Sequence, residues 1–221
     1  MTNSKTLKKT LFSSIAILTL CFVLLIGTTF AWFSDSVSSA TNTIIAGNLD
    51  VALEYSSDYT NWNEVNETTN VFTTDVYWEP GYAEVVYLKV INEGTLDLKY
   101  QLSVNVADET EGTNVNDETF NLSDYIMVGQ IDNVTAAYAD TATAIAAATN
   151  ATKLSEFNVA TTATLTNGED TYIALVVYMP TDVGNEANYK TGTTAPQISL
   201  GIELIATQVE NTTAFEDIVV D

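Results

Sequence analysis

Leu98-Lys99-Tyr100-Gln101-Leu102-Ser103-Val104-Asn105-Val106 sets an apolar residue at every second position and a polar or charged one between. A period of two belongs to an extended strand with one buried and one wet face, because successive side chains leave a strand on opposite sides. The same alternation recurs at Leu49, Val51, Leu53 and Tyr55, against Asp50, Ala52 and Glu54. It returns at Ile198, Leu200, Ile202, Leu204 and Ala206, against Gln197, Ser199, Gly201, Glu203 and Ile205. Residues 84–91 (EVVYLKVI) and 172–179 (YIALVVYM) are nearly continuous apolar runs, which predicts central strands covered on both faces. Pro80-Gly81, Asn92-Glu93-Gly94, Asn167-Gly168 and Val183-Gly184-Asn185 punctuate the pattern, and residues 92–95 read as a hairpin or tight corner. Together these features predict an all-β, antiparallel sandwich.

One stretch breaks the rhythm. Residues 136–157 (AAYADTATAIAAATNATKLSEF) are rich in Ala and Thr. Asp140 is placed to cap a short helix running through the alanines to about Leu154; an Ala/Thr loop is the other reading. Either way the segment is expected to be an insertion crossing one end of the sandwich. Leu122-Ser123-Asp124-Tyr125 is a candidate for a short helical turn.

Composition removes several functions. The chain has 221 residues, 29 acidic side chains, seven basic ones (all lysine), no histidine and one cysteine, for a net charge of −22. Without histidine there is no Ser-His-Asp or Cys-His catalysis and no imidazole metal ligand. Without arginine, and with four lysines beyond residue 31, no basic surface exists to neutralise phosphates, so nucleic acid is excluded as a partner.

Lys5, Lys8 and Lys9 precede an apolar run over residues 11–26, and small residues follow at Thr29 and Ala31. That order predicts a signal peptide over residues 1–31, cleaved between Ala31 and Trp32. The competing reading is a retained membrane anchor, since residues 11–31 are just long enough to span a bilayer. Cleavage leaves 190 residues, four lysines against 29 acids and a charge of −25, and it removes Cys21. A secreted chain without cysteine forms no disulfide and depends on packing and hydrogen bonds.

The residues after the leader are the most specific in the chain: Thr29-Phe30-Ala31-Trp32-Phe33-Ser34-Asp35, then Ile44-Ile45-Ala46-Gly47-Asn48-Leu49-Asp50-Val51. Glu79-Pro80-Gly81 follows, then Leu88-Lys89-Val90-Ile91-Asn92-Glu93-Gly94-Thr95-Leu96-Asp97-Leu98, and residues 180–208 close the pattern with Gly184-Asn185-Glu186 and Ile205-Ala206-Thr207-Gln208. In this order they resemble the TasA/camelysin family of exported bacterial matrix proteins. The resemblance covers both ends of the secreted chain and skips its middle. It implies a jelly-roll sandwich, export through a dedicated signal peptidase, and assembly into extracellular biofilm-matrix fibres, with a minor matrix or anchoring protein as a further partner.

Residues 32–46 carry large apolar groups separated by Ser and Thr, with no Pro or Gly. Such a segment can add to an open sheet edge, where main-chain hydrogen bonds supply affinity and alternate side chains fill pockets. Trp32, Phe33, Val37, Ile44 and Ile45 are the candidate assembly residues. Burying four or five of them is worth roughly 6–15 kcal/mol gross, before ordering and association costs. A strand donated head-to-tail propagates a filament where the rotation does not close a ring. The alternative is that these residues form the first strand of their own domain, residues 47–221, folded back in cis. A monomeric or membrane-anchored surface adhesin would then be the function.

Camelysin relatives are classed as metallopeptidases, yet a zinc peptidase normally needs His or Cys ligands, and none remains after cleavage. The expectation is therefore no catalytic residue and no cofactor. Asp108, Glu109, Glu111, Asp117 and Glu118, with Asn114 and Asn116, collect oxygen ligands in what reads as one loop, a weak calcium candidate without EF-hand spacing. Lys89 and Lys99 are the strand lysines for an isopeptide crosslink, with no partner legible.

Overall fold

The computed structural model describes residues 13–15, 17–19, 34–38, 42–43, 49–74, 76–157, 162–212, 214–215 and 218, with 34–38 and 42–43 described by their backbone. The chain divides into two compact units, residues 1–32 and 33–221. In the first, residues 13–15 and 17–19 are helical, and the Thr19 hydroxyl donates to the Ile15 carbonyl at 2.8 Å. Among the described residues no helix is long and apolar enough to cross a membrane. The rest of the expected leader, with Ala31 and Trp32, lies outside the described residues.

In the second unit the strands are β1 (Ser34–Ser38), β2 (Asn42–Thr43), β3 (Val51–Ser56), β4 (Asn63–Glu64), β5 (Ala83–Asn92), β6 (Leu98–Thr110), β7 (Gly112–Thr113), β8 (Thr119–Phe120), β9 (Met127–Asp132), β10 (Thr152–Lys153), β11 (Thr162–Leu165), β12 (Asp170–Tyr178) and β13 (Gln197–Gln208). One sheet has the order β11-β6-β13-β1-β2 and the other β10-β9-β12-β5-β3-β4, with β7-β8 a separate hairpin. The pairings are antiparallel. Of the longer strands, β3 and β5 are sequential neighbours in one sheet. At every other step between long strands the chain passes to the opposite sheet, the jelly-roll manner of winding. The expected all-β jelly-roll sandwich is the fold.

Its core is one cluster, formed where the alternating residues of the two sheets meet. Leu53, Leu88, Val90, Ile173, Leu175 and Val177 come from the six-stranded sheet, and Leu98, Tyr100, Leu102, Val104, Ile202, Leu204 and Ala206 from the five-stranded one. Val106, expected in this row, is instead 39% exposed. It sits beside a bulge in β6, where the register with β13 slips between Ser199 and Leu200 and the strand leaves the core.

The runs in β5 and β12 are covered on both faces, as their composition requires. The cover is the Ala/Thr insertion, which lies on the outer face of the six-stranded sheet and not across an end of the sandwich. Its helix, α1 (Thr141–Ala147), starts at Asp140, whose side chain accepts from the Thr143 amide at 2.7 Å. Ala144 and Ala148 pack against Val176 of β12, and Gly129 of β9 lies beneath Ala148. The helix stops at Ala147, well before Leu154: Ala148 turns out of helical geometry (ψ 67), and Thr149 and Asn150 are poor helix formers. Leu154 begins a separate 3-10 turn, and β10 before it pairs with β9.

Beside α1 the same outer face holds a ring cluster of Tyr59, Trp62, Tyr87 and Tyr172, with centroids 5.3–5.5 Å apart in mostly edge-to-face contacts. Tyr59 has φ +64, a costly conformation for a non-glycine residue. The loop is held there by the Asp58 carboxylate, which accepts from the amides of Asn61 and Thr60 at 2.9 Å and is thereby kept well below the usual carboxylate range. The Tyr59 hydroxyl donates to the Val134 carbonyl at 2.8 Å.

The quoted motifs are corners. Asn92, 1% exposed, donates through Nδ2 to the carbonyls of Leu96 (2.9 Å) and Leu165 (3.1 Å) and accepts the Gly94 amide at its Oδ1 (3.1 Å). It thus ties the crossing from β5 to β6 against the end of β11. Residues 92–95 are a corner between sheets and not a hairpin within one. At Glu79-Pro80-Gly81-Tyr82, Pro fixes the second position and Gly81 takes φ +93, and the Tyr82 amide donates to the Glu79 carbonyl at 2.9 Å.

Candidate functional site

β13 is the last long strand of its sheet on one side, and beyond it lie only β1 and β2. Ser34 pairs with Thr207, Asp35 with Ala206, Ser36 with Ile205, Val37 with Leu204 and Ser38 with Glu203, all within one chain. β2 adds to the far side of β1, with Thr43 opposite Ser36 and Asn42 opposite Val37. Of the five expected assembly residues, Val37 is thus on a strand at the edge of β13, opposite a fully buried leucine. Trp32, Phe33, Ile44 and Ile45 lie outside the described residues. Within a single copy β1 occupies the cis position.

The side of the sheet that receives β1 is built by β13 itself. Ile202, Leu204 and Ala206 face the core and are at most 1% exposed, while Glu203 and Ile205 alternate with them and are half-buried. Glu203 accepts from Asn105 Nδ2 of β6 at 3.1 Å, so the charge on this strand is held by its other neighbour. Next to Ser34 the far end of β13 is closed by the chain that follows. The Asn211 amide donates to the Gln208 carbonyl at 3.0 Å, and its Nδ2 to the Thr207 hydroxyl at 2.7 Å. Lys99 of β6 donates to the Asn211 carbonyl and lies 5.6 Å from the Phe215 ring centroid. These contacts at the C-terminal turn went unread in the sequence, where residues after 208 carry no periodicity. The one available signal was Lys99, a lysine on a wet strand face in a chain with few cations.

The calcium candidates do not form one loop. Asp108 and Glu109 are still in β6, and the Glu109 carboxylate accepts both the amide and the hydroxyl of Ser123 at 2.8 Å, pinning the expected turn, a 3-10 turn at Leu122–Asp124. Asn114, at the β7–β8 turn, uses its side-chain oxygen on the amides of Asn116 and Glu118 (2.9 Å each), and Asp117 pairs with Lys190. Glu111 separates β6 from β7. Among the described residues no group of three or more His, Cys, Asp or Glu is placed to hold a metal ion.

Lys89 on β5 bridges Glu54 on β3 (3.4 Å) and Asp170 on β12 (3.6 Å). Burial pulls its pKa down, but Glu54, Tyr172 and Asp170 together more than reverse this, so the amine is held protonated. A protonated amine is no nucleophile, and Lys89 acts as a cross-strand ion pair. Lys99 meets a backbone carbonyl of Asn211 and not its side-chain amide carbon.

The fold is an antiparallel β-sandwich whose first strand pairs with its last long one, and that sets the class of this protein. The family model described as camelysin metallo-endopeptidase matches residues 6–175, and the chain belongs to that family, the TasA/camelysin family. No curated protein and no solved structure matches the chain.

Proposed function

We propose that this chain is exported, cleaved between Ala31 and Trp32 by a dedicated signal peptidase, and polymerises as a structural subunit of an extracellular matrix fibre. Residues 32–46 of one copy take the place of β1 on the β13 edge of the next. The observation that carries this reading is the pairing of β1. Described by its backbone, it joins its sheet through β13, with only the two-residue β2 beyond it. Exchange of such a strand between copies makes the same backbone hydrogen bonds as the cis arrangement, so it costs little beyond association. The occupant also removes the hazard of an open edge.

The family's printed name carries a peptidase activity. A non-enzymatic role fits this member better on its own residues. It has no histidine, and its only cysteine lies in the leader, so a zinc site of the usual ligands has nothing to be built from. The adhesin reading rests on the cis pairing and is separated by experiment. Protein beginning at Trp32 is compared with protein beginning at Gly47 by negative-stain microscopy and sedimentation. Filaments from the first and monomers from the second support donation. Filaments from both place the joint elsewhere, and monomers from both, with the shorter form unfolded, return β1 to its own domain.

A further inference from the structure

β1 holds little information about where it should stop. Its sequence, Ser34-Asp35-Ser36-Val37-Ser38, repeats serine at every second place, so a slide of two residues replaces serine by serine at alternate positions. Register is well specified only where a distinctive apolar set must face the core, and this strand has one large apolar residue, Val37. The strand therefore needs a stop outside its own sequence.

A slide toward the C-terminal end of β13 would bring Ser36 opposite Thr207 and Ser38 opposite Ile205, and would carry Ser34 past Thr207. There β13 gives out. Val209 and Glu210 form a turn, and Asn211 comes back over the strand end. Asn211 is 4% exposed and Thr207 fully buried. Three contacts fix this arrangement: the Asn211 amide on Gln208, its Nδ2 on Thr207, and Lys99 on its carbonyl. The backbone that would extend β13 to receive a slid Ser34 is thus folded away and held by a side chain from the strand on the other side.

We infer that Asn211, held by Lys99, is a register stop for the strand on the β13 edge: two positioning residues that set where an incoming β1 ends. The inference deepens the edge reading and rests on the β1–β13 pairing alone, so it applies equally to a strand from the same chain or from a neighbour.

The secreted chain is free of cysteine, so engineered pairs report register cleanly. In full-length protein carrying Cys21→Ser, the pair Ser36→Cys with Ile205→Cys reads the native register, and Ser38→Cys with Ile205→Cys reads the slide. Directly opposite residues have Cα atoms about 4.5–5.5 Å apart. A two-residue offset puts them about 8 Å apart, beyond the reach of a disulfide. Each pair is oxidised mildly in the parent, in Lys99→Ala, in Asn211→Ala and in a chain ending at Gln208, and thermal melting shows which variants remain folded. The stop predicts at least tenfold selectivity for the native pair in the parent and a comparable yield of both pairs in the folded variants. Native-pair selectivity retained in Lys99→Ala and Asn211→Ala overturns it. No crosslink from either pair in the parent overturns the β1–β13 pairing and the stop with it. Whether a crosslinked product runs as one chain or as a ladder reports cis pairing or polymer separately, so the stop and the fibre reading fail by different results.

Discussion

Replacing Gly129 by alanine tests how tightly the α1 lid is seated. A Cβ at Gly129 would stand 2.7 Å from the Ala148 Cβ and 3.2 Å from the Ala151 Cβ. Carbon atoms in good contact sit about 3.5–4.0 Å apart, so the new methyl overlaps Ala148 by roughly 1 Å. Neither alanine has a rotamer to give way, and relief requires the end of α1 to lift from β9. Overpacking of this kind costs about 1–3 kcal/mol. The loss of glycine freedom in the unfolded chain returns about 0.4–1 kcal/mol, leaving a net destabilisation of about 1.3 kcal/mol at mid-range and at most about 2.6 kcal/mol. For a domain of this size the mid-range value lowers Tm by about 3–5 °C, measurable by calorimetry or circular dichroism. The partner change, Ala148→Gly, costs about 1 kcal/mol alone, from the freedom glycine adds to the unfolded chain and the buried methyl it removes. In the Gly129→Ala background it should cost less, because it removes the clashing atom, giving a coupling of about 1 kcal/mol. Gly129→Ala melting at or above the parent, or Ala148→Gly costing the same in both backgrounds, refutes the seating described.

Asn92→Ala strands the carbonyls of Leu96 and Leu165 and the Gly94 amide, and should lose about 1–3 kcal/mol in urea unfolding. Leu204→Ala empties a fully buried site of the core, for a loss of about 2–5 kcal/mol by the same assay. Tyr100 is buried and its pKa is pushed up to about 12 by desolvation. Above pH 10 the unfolded chain therefore releases this proton while the folded chain keeps it. Stability should fall by up to about 2.7 kcal/mol between pH 10 and 12, and the fall should be smaller in Tyr100→Phe. Val37→Asp, opposite Leu204 on the edge, should abolish filaments seen by electron microscopy, and unchanged filaments would remove Val37 from the joint.

The sandwich was legible because alternation survives wherever one sheet face is wet: Leu98, Tyr100, Leu102 and Val104 went inward as the pattern requires. It failed at Val106, since a bulge depends on the partner strand and leaves no mark in a one-strand pattern. Asp140 was readable as a cap because a cap is local, but the end of the helix and the surface it covers were not. Those depend on Val176 and Gly129, distant in sequence, which offer small alanines a place to sit. The acidic cluster around residues 108–118 looked like a loop because charge density says nothing of strand pairing. Glu109 turned out to hold Ser123. At the edge of β13 the sequence left open whether residues 32–46 pair with their own domain or a neighbour's, and the turn beyond Gln208 became visible only once Lys99 and Asn211 stood together.

The sheets end unequally. On the six-stranded side the borders are the two-residue strands β10 and β4, and on the five-stranded side the far border is the four-residue β11. None offers the run of backbone that β13 does. Under the proposed strand exchange, a unit that accepts one strand on β13 and donates one of its own would have a valence of two. Such units would grow only by their ends, so the proposed thread would be unbranched, and any mesh would come from separate threads crossing.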